Sequence, residues 1–158
     1  ARMRAGLSLE RPLVGDRIGF IDEDAPAGFA QPDLSRRTAV TADNRQQVDR
    51  HCRARRAFVM GPLVGTATTL TGGRPGELER AVLTEADVEP GDFALPDPYD
   101  STGTLRPLAV HLDLDLSVGE PAGGYTLRFA LPSGSYATAL TREFIGQPEL
   151  YPPVNDGG

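Results

Sequence analysis

The sequence predicts an α+β chain in which mixed or antiparallel strands alternate with short helices. Three observations carry that expectation. Residues 111–129 alternate apolar and polar positions with period two, the mark of half-buried strands. Residues 42–56, 77–85 and 137–145 place apolar side chains at helical spacing. The 18 glycines and 14 prolines punctuate the chain so often that every element must be short. At 158 residues the chain is long enough to bury a core.

Taken in order, Arg11 to Phe20 reads as a turn followed by a short strand, and Asp22 to Gly28 as an acidic loop. Thr41 or Asp43 is placed to cap a helix over about 42–56, since either side-chain oxygen can accept from first-turn amides. The apolar face of that helix is thin: Val48 and Cys52, four residues apart, are nearly all of it. Residues 57–71 are rich in β-branched side chains and read as strand. After the turn Gly72-Gly73-Arg74-Pro75-Gly76, a second helix is expected from Glu77, with Leu78, Ala81 and Val82 on one stripe.

Breakers fill residues 86–104, which predicts loop and a boundary near residue 100. Beyond it Leu112, Leu114 and Leu116 face one way, with His111, Asp113, Asp115 and Ser117 on the other side. Gly123-Gly124 turns the chain, and Tyr125, Leu127 and Phe129 form the returning strand. A helix over about 137–145 carries Ala137, Leu140 and Phe144 and stops at Gly146; the tail from Pro152 is expected to fray.

Charge narrows the classes of function. Asp and Glu number 22 against 16 basic residues, a formal net charge of -6, and every basic residue is arginine. An acidic, lysine-free chain points to a GC-rich and salt-tolerant source, and it disfavours indiscriminate nucleic-acid binding without excluding a local arginine patch. One cysteine excludes an internal disulfide framework. No apolar run reaches the ~20 residues that a membrane helix needs, and a cytoplasmic setting is expected.

Four groups invite chemistry. His111, Asp113 and Asp115 share a strand face, but alternation in an acidic protein explains them without a metal, and none is expected. The Gly72–Gly76 stretch precedes a helix, yet it matches no nucleotide-binding fingerprint and Pro75 lacks an amide donor, so a connecting turn is the simpler reading. Cys52 beside His51 is no catalytic dyad, because neighbouring helical side chains diverge by ~100°. Arg50, Arg53, Arg55 and Arg56, with Arg36 and Arg37 upstream, are the one basic concentration. Two readings fit them: bidentate contacts to RNA phosphates, or cations complementing a helix C-terminus.

The most distinctive stretch is Phe129-Ala130-Leu131-Pro132-Ser133-Gly134-Ser135-Tyr136-Ala137-Thr138-Ala139-Leu140-Thr141-Arg142-Glu143. It resembles the near-C-terminal motif of the TruD family of tRNA pseudouridine synthases, F-x-L-P-x-G-S-[YF]-A-T followed by R-E. Arg11-Pro12-Leu13-Val14-Gly15-Asp16, Ala57-Phe58-Val59, Pro62-Leu63-Val64-Gly65-Thr66 and Gly76-Glu77-Leu78-Glu79-Arg80 also look like archaeal members. Gly103-Thr104-Leu105-Arg106 sits where the family has a G-x-R-R-like element, one arginine short.

The resemblance implies most of the family's inserted domain over residues 1–100 and the last strands and helix of its catalytic domain over 101–158. It implies isomerisation of a tRNA uridine to pseudouridine without a cofactor, with tRNA as partner and no membrane. The family's catalytic aspartate lies in an N-terminal G-x-K-D-type motif, which a lysine-free chain cannot contain. No catalytic residue is therefore assigned here, and the chain alone is expected to be inactive without an N-terminal half. The family motif places an active-site aromatic at Tyr136, with Thr138, Arg142 and Phe129 as further candidates for substrate contact. Arg50, Arg53, Arg55 and Arg56 are candidates for RNA phosphate contact. The alternative is a non-catalytic RNA-binding or interaction domain that keeps the motif as a fold element.

Overall fold

A computed structural model describes residues 1–25, 31–112, 114–118, 124–131 and 135–145. It divides into two compact units, Ala1–His111 and Leu112–Gly158. Each is antiparallel, as expected, and the helices are few.

The first unit rests on four strands: β1 (Arg17–Ile21), β2 (Pro32–Ala39), β3 (Ala57–Leu63) and β4 (Thr104–Pro107). They run antiparallel in the order β2-β1-β3-β4. Ile18 lies opposite Val59, so both side chains share one face of the sheet. Helix α1 (Arg45–Arg53) lays Val48 and Cys52 in the same core cluster, with Val40 and Ala57 filling in and Phe20 and Leu108 packed at its margin. Two inward residues suffice because the helix is only nine residues long. Each fully buried side chain of the Val or Ile kind contributes about 1.5–3 kcal/mol.

Helix α1 is shorter than the sequence predicts at both ends. At its start Thr41, rather than Asp43, organises the turn: its hydroxyl accepts from the Asn44 amide at 3.3 Å while the Asn44 side-chain oxygen accepts from the Thr41 amide at 2.9 Å. At its end the Arg56 amide donates to the His51 carbonyl and the Arg55 amide to that of Cys52, with Arg55 at φ 56. That is a Schellman closure, and it stops the helix at Arg53.

Three further departures have local causes. Strand β2 is absent from the sequence reading because it is polar and exposed over Leu34 to Arg37, as an edge strand can be. Its register jumps from Gly19↔Arg37 to Phe20↔Asp33, leaving residues 34–36 as a bulge. The Asp33 carboxylate accepts from both the hydroxyl and the amide of Ser35 there, and these bonds hold its pKa below the usual value. Strand β3 ends at Leu63 instead of running to residue 71. Helix α2 (Gly73–Ala86) begins four residues before Glu77, since proline is tolerated in a first turn and Pro75 is buried there. The expected boundary near residue 100 falls within the first unit, because β4 pairs with β3.

The second unit is the expected hairpin and helix: β5 (Leu114–Val118), β6 (Tyr125–Phe129) and α3 (Ala137–Ile145). Leu114 faces Phe129 and Leu116 faces Leu127, so the alternation seen in the sequence places these four on one side. The expected turn at Gly123, the breakers Pro132 and Gly134, the stop at Gly146 and the tail lie outside the described residues.

Candidate functional site

Tyr136 stands immediately before α3 with its side chain open to solvent, 71% exposed. Its carbonyl accepts from the Ala139 amide at 3.1 Å, so the backbone is already committed to the helix start while the ring projects from it. Thr138 and Arg142, four residues apart and therefore neighbours on one helical side, are both exposed. Phe129 is half-buried on β6 opposite Leu114, in a packing position. Leu140 is half-buried, whereas Ala137 and Phe144 of its stripe are exposed.

The arginine concentration occupies the end of α1 and its closure. Arg50, Arg53, Arg55 and Arg56 are all exposed. Arg53 is tied to Asp49 at 2.7 Å, and Arg11 approaches the same carboxylate at 3.9 Å. Among the described residues no carboxylate pairs with Arg50, Arg55 or Arg56. Arg36 pairs with Glu23 at 3.4 Å on the β2 bulge.

Arg55 adds something that sequence reasoning missed. The left-handed position that closes a Schellman motif favours glycine, and a side chain there costs roughly 1 kcal/mol. The Arg55 side chain is exposed at this position. The signal available in the sequence was a helix followed by Ala54-Arg55-Arg56 with no glycine.

The remaining candidates resolve into structural roles. The His51 ring meets the Phe20 ring edge-on, 5.7 Å between centroids, while Cys52 faces the core. Burial, reinforced by the charges of Asp49, Asp16 and Glu10, pushes the Cys52 thiol up to about 11, the opposite of an activated nucleophile. His111 pairs with Glu10 at 3.2 Å in the first unit. Asp115 belongs to the second unit and lies opposite Arg128, while Asp113 lies outside the described residues. Among the described residues no group of three His, Cys, Asp or Glu is placed to hold a metal ion. Gly72 to Gly76 form the first turn of α2, where Pro75 and Gly76 are buried. The Glu79 carboxylate already accepts the Thr71 amide at 2.7 Å, which leaves that helix end occupied by a negative group. No helix among the described residues is long and apolar enough to cross a membrane.

Comparison with known proteins identifies the family. The profile of the family described as "tRNA pseudouridine synthase D (TruD)" matches residues 1–144. The "Probable tRNA pseudouridine synthase D" of Halobacterium salinarum strain R1 is 44% identical over 144 residues, covering 91% of this chain and 32% of the relative. Its namesake in Natronomonas pharaonis is 45% identical over 144 residues, covering 91% and 31%. A crystal structure assigned to tRNA pseudouridine synthase D from Methanosarcina mazei superposes with a TM-score of 0.75 at 33% identity, over 90% of this chain and 33% of that one. The chain thus spans about a third of the length of the curated relatives it matches.

Proposed function

Because the chain belongs to the TruD family of tRNA pseudouridine synthases, we propose that it forms part of an enzyme that isomerises a uridine of tRNA to pseudouridine. In that reaction the bond from N1 of the base to C1′ of the ribose breaks, a bond from C5 to C1′ forms, the C5 proton passes to solvent and N1 takes up a proton. The target uridine must leave the helical stack to react, which calls for a flat apolar partner once it is out. The solvent-open ring of Tyr136 at the start of α3 is the observation that carries this reading.

On this reading Tyr136 stacks on the extruded base, and Arg142 and Thr138 lie on the adjoining exposed side of α3 for contact with the nucleotide. Phe129 supports the strand that leads into the motif. The α1 arginines Arg50, Arg53, Arg55 and Arg56 contact phosphates of the tRNA outside the reacting nucleotide. Residues 1–100 correspond to most of the family's inserted domain and residues 101–158 to the last part of its catalytic domain. The nucleophilic aspartate comes from the N-terminal half that the longer relatives carry, and no cofactor takes part.

A chimera tests this. Residues 1–144 replace the matching segment of the Halobacterium salinarum relative, and tritium release is measured from tRNA labelled at C5 of uridine. The chimera is expected to turn over, and residues 1–158 alone are expected to release nothing. Stacking on a base is worth ~1–3 kcal/mol, so Tyr136→Ala in the chimera should slow turnover by about 5- to 150-fold, with Tyr136→Phe close to the parent. Release by the isolated chain overturns the missing-nucleophile argument. A folded chimera that binds tRNA without turnover favours the non-catalytic RNA-binding reading, for which the unpaired arginines of α1 are the supporting feature.

A further inference from the structure

The four-stranded sheet has a second face, and its register puts arginines there. Ile18, Val59 and the α1 core lie on one side. Arg17, opposite Met60, and Arg37, opposite Gly19, therefore lie on the other. On that side the structure has a cavity of about 300 Å³ whose walls include Arg17, Arg37, Thr68, Thr69, Thr102 and Gly103. Pro62 and Leu105, directly paired across β3 and β4, form an apolar part of its wall.

The composition of this cavity runs against that of the chain. In a protein of net charge -6, no aspartate or glutamate lines it. Among the described residues no carboxylate pairs with Arg17 or Arg37. Two guanidinium groups bordering one cavity without a counter-charge repel each other, and an anion between them removes that cost. Arg17 is anchored, since its Nη2 donates to the Thr69 carbonyl. The Thr68 hydroxyl accepts from the Gly65 amide at 2.8 Å, which leaves its own proton to donate. Gly103 holds φ +79, and a Cβ on it would stand 2.6 Å from the Thr68 hydroxyl and 2.7 Å from the Gly65 nitrogen. Only glycine lets the two loops close here.

We propose that this cavity is an oxyanion site that takes a phosphate group, and that its ligand is a backbone phosphodiester of RNA. The choice of RNA as source rests on the function proposed above; the anion site itself stands on the cavity alone. The geometry offers forked guanidinium donors from two strands and hydroxyl donors from two loops, an arrangement that suits tetrahedral oxygens. A volume about ten times the ~30 Å³ share of one water leaves room for the sugar attached to the phosphate. The site is separate from Arg50, Arg53, Arg55 and Arg56, none of which lines it.

The test uses the whole chain and two probes. In the first arm inorganic phosphate is titrated against 15N-labelled protein, and the amides of Thr68, Thr69, Gly103 and Thr104 are followed. Saturable shifts there, abolished in Arg37→Gln and weakened in Thr102→Val, support the site. Shifts that are absent, or that survive Arg37→Gln unchanged, overturn it and leave Arg37 as charge on an edge strand. Arg37 is exposed, so its variant should keep a dispersed spectrum, and Thr102→Val provides an independent lesion. In the second arm tRNA binding is measured across a salt series. Arg37→Gln is expected to weaken it several-fold and to lower the slope of log K against log salt by about one. Phosphate shifts with no binding of tRNA overturn RNA as the ligand of this cavity, while keeping the anion site for a free phosphate; the proposed function is decided separately, by the chimera. Binding of tRNA that is indifferent to Arg37 overturns RNA as the ligand of this cavity and leaves the proposed function standing.

Discussion

Arg2 and Asp16 form a two-pronged buried pair, Nη1 to Oδ1 at 2.7 Å and Nη2 to Oδ2 at 2.9 Å. The same guanidinium donates to the carbonyls of Ser8 and Arg11 at 2.6 and 2.7 Å, and the carboxylate also takes the Leu13 amide at 2.6 Å. One side chain thereby folds residues 2–16 into a knot against the start of β1. The Arg11–Asp16 stretch that resembles the family pattern is therefore a structural device, with Asp16 as its acceptor.

Removing one member of that pair strands a buried charge. Asp16→Asn is expected to destabilise the fold by about 3–5 kcal/mol, because the Arg2 cation keeps its desolvation and loses its partner. Replacing both, as Arg2→Met with Asp16→Leu, should cost clearly less than the sum of the single changes. Thermal unfolding of the three variants and the parent checks this. Additive losses would show that the pairing itself contributes nothing.

Two left-handed glycines separate backbone strain from crowding. Gly15 has φ +99, and a Cβ there would lie 2.3 Å from the Gly72 carbonyl oxygen at the mouth of α2. Gly6 has φ +70 with nothing within 4 Å of the added atom. Gly6→Ala should cost only the conformational term, about 1 kcal/mol. Gly15→Ala should cost several times more, since the loop and the helix start must move apart. Denaturant midpoints of the two variants would decide it, and equal losses would contradict the close approach.

Cys52 gives a pH-dependent outcome. Its thiol is held at about 11 against an ordinary 9.0, with burial as the leading cause. A raised folded value means that the protonated thiol is favoured by folding; that contribution is complete below about 9 and is lost as pH climbs through about 11. The folded chain should leave an aromatic disulfide reagent unreacted at pH 8, and unfolding in denaturant should release one thiol. In Cys52→Ala the alkaline loss between pH 9 and 11 should shrink, read from unfolding midpoints across that range. Rapid labelling of the folded protein would place the sulfur at the surface instead.

Arg55 should trade stability against binding. Arg55→Gly relaxes the left-handed closure of α1 and is expected to stabilise the fold by about 1 kcal/mol. If Arg55 contacts a tRNA phosphate as proposed, the same change should weaken tRNA binding at low salt, with a shallower salt dependence. Unfolding midpoints and a binding isotherm on the same preparations test both halves. A stabilised variant with undiminished binding would assign Arg55 to the helix end alone.

The parts legible in the sequence are those governed by neighbours along the chain. Alternation over Leu114 and Leu116 against Leu127 and Phe129 gave the hairpin, because period two leaves one register that keeps apolar side chains together. Val48 and Cys52, four apart, marked the inward stripe of α1, and the run from Phe129 to Glu143 carried both the family and the helix α3.

Tertiary structure decided what depends on residues far apart in the chain. Strand β2 has no apolar stripe to announce it and exists because β1 offers an open edge. The first unit reaches past residue 100 because β4 finds β3, pairing Thr104 with Leu63 and Pro107 with Met60. Arg2 meets Asp16, and Gly65 meets Gly103, through close approaches that no local pattern encodes. Arg17 and Arg37 look like scattered basic residues until antiparallel pairing brings them to one face beside Thr68 and Thr102. Local periodicity fixes which way a side chain points, whereas the pairing of strands fixes what it points at.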